Sequence, residues 1–385
     1  MKKRSIPLFD LKLSARTRKR VNEVLSSGWL SSGPLGRELE KQAARTVHVR
    51  YAAAVSSATV GLQMVLEAVG ARKGSEVVTT PFTFCATAEA ILRAEAIPVF
   101  ADIDPATLNI DPDEVARKIT SKTIAVMPVD IAGHSSDYEK LQPLCGEHRL
   151  PLLADASHAL GATCRGKSVA QMTDAAVHSF QATKNVTSGE GGLIATRHKI
   201  MAERIKLLSR HAMTSNAYQR RTANKWEYDV VGLGIKANLP DLNAAVGLGE
   251  LSVFEKNQAK RRKLAARYKK GLAGLEDHLE LPVENDGCRH AWHLFIVRLH
   301  LSNLKIKRNR FIKLMADEGV QCGVHYKPLF EMSYYRQLGF LPGYFPNAAY
   351  AGERVVSLPM YPHLTLGEVD YICEKARTTL RKHAR

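Results

Sequence analysis

The chain has 385 residues, of which 45% are hydrophobic, and its 55 Lys and Arg against 38 Asp and Glu give a formal net charge of +17 at pH 7. This composition excludes a disordered or fibrous chain and predicts a globular protein long enough for two domains. No run of about 18 uncharged apolar residues occurs, and the basic start lacks the apolar stretch of a signal peptide, so we predict a cytoplasmic protein without membrane contact.

Short apolar runs alternate with helical patterns between about residue 52 and residue 200. Strands are predicted for AAAVSS, EVVTTP, IPVFADID, TIAVMPVD, LPLLAD, AAVHSF and GLIAT. Helices are predicted for TVGLQMVLEAVG, CATAEAILRAEA, DPDEVARKI and SDYEKLQPLCGEH, the third with Asp111 as N-cap and Pro112 at the first helical position. This alternation predicts right-handed crossovers and a mainly parallel sheet, whose ligands gather at the carboxyl ends of the strands.

The pattern changes after about residue 250. A basic helix at about 251–274 is followed by the alternating strand HAWHLFIVRLHL, a helix at FIKLMADEG and a last helix that begins near Thr365. We therefore predict a large α/β domain at 1–250, which includes the N-terminal segment, and a smaller α+β domain at 251–385.

Two further features of the composition bear on partners. The basic residues of the helix at about 251–274 have helical spacing, which favours a solvated helix face, and no recognised DNA or RNA module surrounds them, so we predict no nucleic-acid partner. The charge remains compatible with attraction for phosphorylated small molecules. The six cysteines are scattered and form no C-x-x-C pair, so we expect them to be reduced and structural.

Polar residues follow the predicted strands at their carboxyl ends. In SSATVGL (56–62), small residues and the Thr59 hydroxyl between a strand and a helix are compatible with a phosphate site, although this motif by itself favours a plain Ser/Thr helix cap. In LLADASHALG, Asp155 closes an apolar strand and needs a cationic or N–H partner. His158 lies one turn later, but two ligands without a third do not make a metal site, and we predict none.

A lysine and an aromatic ring complete the set. Lys184 follows the strand that Ser179 closes, and a lysine that is partly desolvated near other cations has a lowered pKa and attacks carbonyl carbons. Taken alone, Lys184 has the pattern of a surface lysine. In TTPFTFCATAE, Phe82 and Phe84 share one face of an extended segment, where one of them can stack on a planar ring; core packing is favoured for Phe82.

A phosphate site, a carboxylate, an amine and an aromatic ring together meet the requirements of pyridoxal 5′-phosphate (PLP). In these motifs and their order the chain resembles the DegT/DnrJ/EryC1/StrS family of sugar aminotransferases, from GWLSSGP through DASHALGA, SFQATKNVTSGEGG and VHYKPL to SLPMYP. The resemblance implies the aspartate aminotransferase-like α/β fold, PLP fold type I, with a mainly parallel central sheet in the large domain.

The resemblance also implies the roles of single residues around the cofactor ring. Lys184 falls where the family's lysine forms the covalent link to the cofactor, and Asp155 falls on the partner of the pyridine nitrogen. His158 matches a position close to the cofactor's 3-hydroxyl group. Phe84 matches the aromatic residue that stacks on the ring.

At the phosphate end, Ser57, Thr59 and Ser179 fall on phosphate-binding positions of the family. The family's usual S-G-T reads Ser57-Ala58-Thr59 here, so a methyl group enters a crowded turn. If that position needs a positive φ, Ala58 strains the turn and weakens the binding of the cofactor.

The family's G-Y-N-x-R/N-M segment corresponds to residues 234–239 of this chain. In the family this loop reaches into the neighbouring subunit's site, which implies a homodimer with shared active sites. Here Lys236 would place a charge near the phosphate, and Asn238 would donate a hydrogen bond. The charge of Lys236 would also lower the pKa of Lys184.

Other residues are predicted near the substrate. The glycines after Glu190 bring the backbone close to the cofactor or to the partner subunit, unless they form a plain turn. His325 and Tyr326 resemble the family's H-Y-x-P element near the sugar pocket, with core packing as the alternative. His293 and His134 are weaker candidates.

Some relatives carry His in place of the lysine and catalyse dehydration, so the presence of Lys184 favours amino transfer. The resemblance implies transfer of an amino group from L-glutamate to a nucleotide-linked keto sugar. A cyclitol ketone or an aminobenzoate precursor is the alternative substrate. A regulatory or nucleic-acid-binding protein on the same fold is the alternative from another class.

Overall fold

The computed structural model describes residues 5–224 and 226–385 of the chain. The helices, in chain order, are α1 Ala15–Ser27, α2 Pro34–Thr46, α3 Ala58–Ala68, α4 Cys85–Arg93, α5 Pro112–Lys118, α6 Tyr138–Glu147, α7 Val169–Met172, α8 Lys199–Leu208, α9 Ala217–Ala223, α10 Asp241–Leu251, α11 Phe254–Leu272, α12 Arg308–Asp317, α13 Ser333–Gln337, α14 Pro346–Arg354 and α15 Leu366–Lys382. The strands are β1 Tyr51–Val55, β2 Glu76–Thr79, β3 Ile97–Phe100, β4 Thr123–Val126, β5 Leu153–Asp155, β6 Thr163–Cys164, β7 Lys167–Ser168, β8 Ala175–Ser179, β9 Gly192–Thr196, β10 Leu279–Glu280, β11 Cys288–Arg289, β12 Phe295–Leu299 and β13 Val355–Leu358.

The central sheet has the strand order β1-β9-β8-β5-β4-β2-β3. Its two parts are joined by parallel bridges from Val126 to Leu152 and from Val129 to Asp155. Strand β9 is antiparallel to β1 and to β8, whereas β5 is parallel to β8, and β2 is parallel to β3 and β4. The mainly parallel sheet predicted from the alternating pattern is confirmed.

The predicted helix starts also agree with the structure. The Asp111 side chain caps α5, with Pro112 as its first residue, and Thr365 caps α15 through a reciprocal capping box with Glu368. Each cap gives a free backbone N–H of the first turn a side-chain acceptor, which fixes where the helix begins.

A second core surrounds the antiparallel sheet β10-β12-β13. Helix α11 links it to the core of the central sheet: Phe254 packs into the first core, and Leu264 and Tyr268 pack into the second. Ile6 of the N-terminal segment also packs in the second core, where it forms a parallel bridge with Val320. The domain boundary between residues 250 and 251 stays a prediction.

Helix α11 is the basic helix predicted at about 251–274. Lys256, Lys263 and Lys270 are exposed, whereas Phe254 and Leu264 are buried, as expected for a helix with one solvated face. None of the helices in the described ranges is long and apolar enough to cross a bilayer.

One expectation about the cysteines is wrong. Cys164 and Cys288 form a disulfide, whereas all six cysteines were expected to be reduced. The two residues lie directly opposite each other on the antiparallel strands β6 and β11. They are 124 positions apart in sequence, and a spacing of this length carries no pairing signal.

Gly192 allows β9 to lie against the start of α3. It pairs with Val55 of β1 and with Ser179 of β8. A Cβ atom on Gly192 would lie 2.7 Å from the backbone nitrogen of Ala58 and 2.7 Å from the carbonyl carbon of Ser57. The close backbone approach at this glycine is therefore an approach to the turn between β1 and α3 of the same chain.

We predict that Gly192→Ala lowers the free energy of unfolding by about 1–3 kcal/mol, because the added methyl group displaces backbone atoms. The matched control is Gly146→Ala in α6, where no atom lies within 4 Å of the new methyl group. This control should leave stability unchanged or raise it by up to about 1 kcal/mol. Thermal unfolding measures both, and equal melting temperatures for the two variants would show that the close approach at Gly192 does not limit the size of its side chain.

Candidate active site

A cavity of about 460 Å³ opens at the carboxyl ends of β1, β5 and β8. The predicted site residues that line it are Ser57, Ala58, Thr59, Phe84, Asp155, His158, Ser179, Lys184, Glu190, His325 and Tyr326. Lys236 and Asn238 are not among its lining residues. Residues from separate parts of the sequence therefore meet where ligands of parallel sheets bind.

Asp155 is the buried carboxylate of the cavity and the last residue of β5. Its Oδ2 accepts a hydrogen bond of 2.7 Å from Thr87 Oγ1. Its Oδ1 accepts from the backbone nitrogen of Ser157 at 3.2 Å and from Ser157 Oγ at 2.6 Å. These bonds fix the position of the carboxyl group, which is placed to accept a hydrogen bond from a protonated ring nitrogen.

Lys184 lies in the turn that follows β8, partly buried against the cavity wall. Its Nζ atom is 3.5 Å from Nε2 of His293. Burial lowers the pKa of the Lys184 ammonium to about 8, and the negative charge of Asp155 opposes this change. The lowered pKa agrees with the sequence prediction, but its main cause is burial rather than neighbouring cations, and Lys236 does not line the cavity.

His158 is held by two hydrogen bonds. Its Nδ1 accepts from the backbone nitrogen of Ala132 at 3.2 Å, which assigns its proton to Nε2, 3.1 Å from the hydroxyl oxygen of Tyr326. His158 therefore donates to Tyr326, and the hydroxyl proton of Tyr326 is left for another acceptor. Burial and the charge of Lys184 lower the pKa of His158 well below its usual range, so the ring is neutral.

His325 and Tyr326 both line the cavity, as the prediction of a substrate-side position requires. Nδ1 of His325 lies 2.7 Å from the hydroxyl oxygen of Ser357 on β13. Burial and the charge of Lys184 lower the pKa of His325 to about 4. Both groups are thus neutral at physiological pH, and they offer hydrogen bonds rather than charge to a ligand.

The turn between β1 and α3 lies at one end of the cavity. The Ser57 side chain caps α3 by accepting from the backbone nitrogen of Val60, which is the cap alternative considered for this motif. The cap does not preclude an anion, because further N–H groups of the first turn remain free. Ala58 is the first residue of α3 and has helical backbone, so the positive φ that would strain an alanine is not required.

The two phenylalanines of the TTPFTFCATAE segment have different environments. Phe82 is fully buried, as predicted, in a core with Phe100. Phe84 is 57% exposed and lines the cavity, with its ring 6.1 Å from the ring of Tyr326. An exposed aromatic face at the cavity rim suits stacking on a planar ligand.

Lys236 and Asn238 lie outside the cavity of their own chain. Nζ of Lys236 donates to Oδ1 of Asn238 at 2.5 Å, and Nδ2 of Asn238 donates to Oγ of Ser32. The backbone of Asn238 pairs with Val55 at the end of β1. A single chain therefore does not bring these two residues to its own Lys184.

Sequence reasoning missed several lining residues. Gln181 and Thr183 lie between the end of β8 and Lys184, so their position beside the lysine was a usable signal. The side-chain Oε1 of Gln181 accepts from the backbone nitrogen of Thr183 at 2.9 Å. Leu8 and Phe9 come from the N-terminal segment and had no local signal. His293, a weak candidate in the sequence, lies within hydrogen-bond distance of the amine of Lys184.

The residues fit PLP. An amine of lowered pKa is available to its aldehyde and a fixed carboxylate to its ring nitrogen, and the start of α3 suits its phosphate. These groups lie at the carboxyl edge of a mainly parallel sheet, where ligands of such sheets bind, and the similar solved structures include PLP- and PMP-form sugar aminotransferases, so the chain has the fold of a PLP-dependent aminotransferase of fold type I. Residues 12–377 match the model of the DegT/DnrJ/EryC1/StrS aminotransferase family, and the chain belongs to this family.

Several relatives are similar over nearly their whole length. The chain is 38% identical to the spore coat polysaccharide biosynthesis protein SpsC of Bacillus subtilis over 94% of this chain and 93% of SpsC. The structure of the putative sugar aminotransferase Spr1654 from Streptococcus pneumoniae in its PMP form matches with a TM-score of 0.93 and 30% identity, covering 98% of this chain and all of Spr1654. DesI in the presence of its TDP-sugar product matches with a TM-score of 0.88 and 30% identity, covering 99% and 94%.

We predict that Lys184 of the cofactor-free protein reacts with an acylating reagent with a midpoint near pH 8, because the amine is nucleophilic only above its pKa. Mass spectrometry of the Lys184 peptide over a pH series measures the midpoint. In Asp155→Asn the midpoint should move lower, since the charge of Asp155 raises this pKa. A midpoint near 10.4, the usual value for lysine, would show that burial does not act on Lys184.

Proposed function

We propose that the protein transfers an amino group from L-glutamate to a nucleotide-linked keto sugar and releases an amino sugar nucleotide. The observation that carries the proposal is that the Lys184 amine, with its lowered pKa, shares one cavity with the fixed carboxylate of Asp155. The names of two relatives, a polysaccharide biosynthesis protein and an enzyme with a TDP-sugar product, support the substrate class. The net charge of +17 favours approach of a diphosphate.

We infer that Lys184, Asp155, His158 and Phe84 hold the cofactor's ring. The cofactor withdraws electrons from the carbon that carries the amino group. Lys184 then acts as the base: its uncharged amine removes the proton from the α-carbon of the amino donor, and on the return path it delivers a proton to the sugar carbon that carried the ketone. Asp155 keeps the ring nitrogen protonated throughout.

Other cavity residues bind the two ends of the ligands in this proposal. Ser57, Thr59 and Ser179, with the backbone of Ala58, bind the phosphate at the start of α3. His325 and Tyr326 face the sugar, and the free hydroxyl proton of Tyr326 is its hydrogen-bond donor.

We also propose a homodimer in which Glu190 and the 226–238 segment lie near the subunit boundary. Trp226 is 82% exposed and Leu233 is 90% exposed, and Tyr228, Val230, Val231 and Ile235 are exposed as well. A single soluble chain rarely exposes so many large apolar residues in one segment, so a second copy covers them. The same contact would bring Lys236 and Asn238 to the partner's phosphate site.

The proposed reaction is tested with cofactor-loaded protein and ¹⁵N-labelled L-glutamate. We expect 2-oxoglutarate to form and the label to appear in the amino sugar when nucleotide keto sugars are supplied, as read by mass spectrometry. Lys184→Ala should abolish transfer and the absorbance band near the visible edge, because the covalent link and the base are both lost. The matched control is Lys199→Ala, which removes an exposed lysine of α8.

The alternatives give different outcomes. Transfer of the label to a cyclitol ketone but to no nucleotide sugar would select the non-nucleotide substrate. Salt-sensitive DNA binding without any transfer would select the regulatory alternative. Lys184→Ala with an unchanged absorbance band would refute the cofactor role of Lys184. The cytoplasmic location belongs to the same proposal and rests on composition.

The shared site predicts complementation between inactive variants. Lys184→Ala lacks the base but has an intact 236–238 segment, whereas Lys236→Glu/Asn238→Asp has the base but a repulsive segment. When the two are unfolded, mixed and refolded, random pairing places one intact site in each mixed dimer, which restores about one quarter of the wild-type activity. If each chain builds its site alone, the mixture stays as inactive as the two variants measured separately.

A further inference from the structure

His293 is the buried ring that contacts Lys184. It is 5% exposed, and its Nε2 lies 3.5 Å from Nζ of Lys184. The ring centroid is 4.4 Å from that of His158. Its other nitrogen, Nδ1, is buried and has no hydrogen-bond partner among residues 5–224 and 226–385. A buried polar atom without a partner marks a group whose position is fixed by something other than its own hydrogen bonds.

The surroundings of His293 decide its charge and its tautomer. Burial and the neighbours Lys184, His158, Arg261 and His325 lower the pKa of His293 well below its usual range, so the ring carries one proton. On Nδ1 this proton would be a buried donor without an acceptor, and such orphan N–H groups are rarer than under-satisfied acceptors. When the Lys184 amine is uncharged, above its pKa of about 8, the proton is therefore on Nε2 and points to Nζ of Lys184. Only an uncharged amine has the lone pair to accept it.

Arg261 of α11 holds the backbone on which His293 sits. The arginine is 2% exposed and pairs with no carboxylate of the described residues. Its Nη1 donates to the carbonyl oxygens of Trp292 at 3.0 Å, His293 at 3.3 Å and Met360 at 3.0 Å. A buried cation is costly when its only partners are carbonyl groups. Replacing Arg261 would leave three main-chain carbonyl oxygens without their hydrogen-bond donor.

The backbone before His293 is strained. Trp292 has a φ of 48°, in the left-handed region that bulky side chains seldom adopt. Its backbone nitrogen donates to Nδ1 of His290 at 2.8 Å, and the two rings stack with centroids 3.9 Å apart. The bonds from Arg261 to the carbonyl groups of residues 292 and 293 hold this conformation, which directs the His293 ring to Lys184.

We propose that His293 is a positioning residue for Lys184, that its Nε2–H donates to the released ε-amine, and that Arg261 fixes His293 through the carbonyl groups of residues 292 and 293. The proposal rests on the proposed role of Lys184 as the base. His293 holds the amine uncharged and in one place between its release from the cofactor and its proton transfer. Three other titratable groups interact with the amine electrostatically. Asp155 raises the pKa of Lys184, and the charge of Lys184 lowers the pKa values of His158 and His325.

The first test is the tautomer of His293 in cofactor-free protein. Two-bond ¹⁵N–¹H NMR spectra of ¹⁵N-histidine-labelled protein identify the His293 signal by its loss in His293→Gln. At a pH above the Lys184 pKa of about 8, where the amine is uncharged, we expect a protonated Nε2 and a bare Nδ1, and we expect the Nε2 signal to shift in Lys184→Met. A proton on Nδ1, or a signal that Lys184→Met leaves unchanged, would overturn the proposal. This measurement involves neither glutamate nor a sugar, so it stands apart from the test of the proposed function.

The second test separates positioning from folding. His293→Met removes the donor, and we expect kcat of the glutamate half-reaction to fall about tenfold to a hundredfold with little change in KM, because the base is misplaced. His293→Gln keeps a donor and should recover most of this loss. Arg261→Lys should lower kcat in the wild-type background but not in the His293→Met background, since Arg261 acts through His293. Additive losses in the double variant, or no recovery by glutamine, would contradict the proposal.

Discussion

Two opposed effects set the pKa of Lys184, the attraction of its ammonium ion to Asp155 and the burial of the amine, and the site depends on the balance between them. Burial favours the uncharged amine, and the carboxylate favours the ammonium ion. Thr87 and Ser157 donate hydrogen bonds to Asp155, which hold its carboxyl group in place. The resulting pKa of about 8 lies close to neutral pH, where a base transfers protons in both directions most effectively.

The sheet brings these two groups together although they are 29 positions apart. Strands β5 and β8 are parallel neighbours in which Asp155 pairs with Val177, so the carboxyl ends of both strands reach the same edge. The antiparallel strand β9 then returns beside β8. Its first residue, Gly192, has no side chain, so the backbone there can lie against the turn before α3. The amine, the carboxylate and the turn before α3 are therefore positioned by one set of backbone hydrogen bonds, and their relative positions do not depend on side-chain conformations alone.

Local patterns were sufficient to predict the elements that carry the site. The alternation of apolar runs and helices gave the parallel sheet, the caps at Asp111 and Thr365 gave two helix starts, and the strand ends identified the polar residues of the cavity. Contacts between distant segments left no local pattern. The disulfide between Cys164 and Cys288 depends on the pairing of β6 with β11. Arg261 lies in a run of basic residues typical of a solvated face, yet the packing of α11 against two cores buries it.

The two sides of Lys184 are organised differently. On one side, His293 and its support from Arg261 lie wholly within the chain, and the donor reaches the amine without help from another subunit. On the other side, Lys236 and Asn238 do not line the cavity; in the single chain they bond to each other, and Asn238 bonds to Ser32. Because His293 and Arg261 belong to the same chain as Lys184, they would position the lysine before the dimer assembles. Tight binding of the cofactor phosphate would require the second subunit. Assembly and cofactor binding would then stabilise each other, since each supplies an interaction that the other needs.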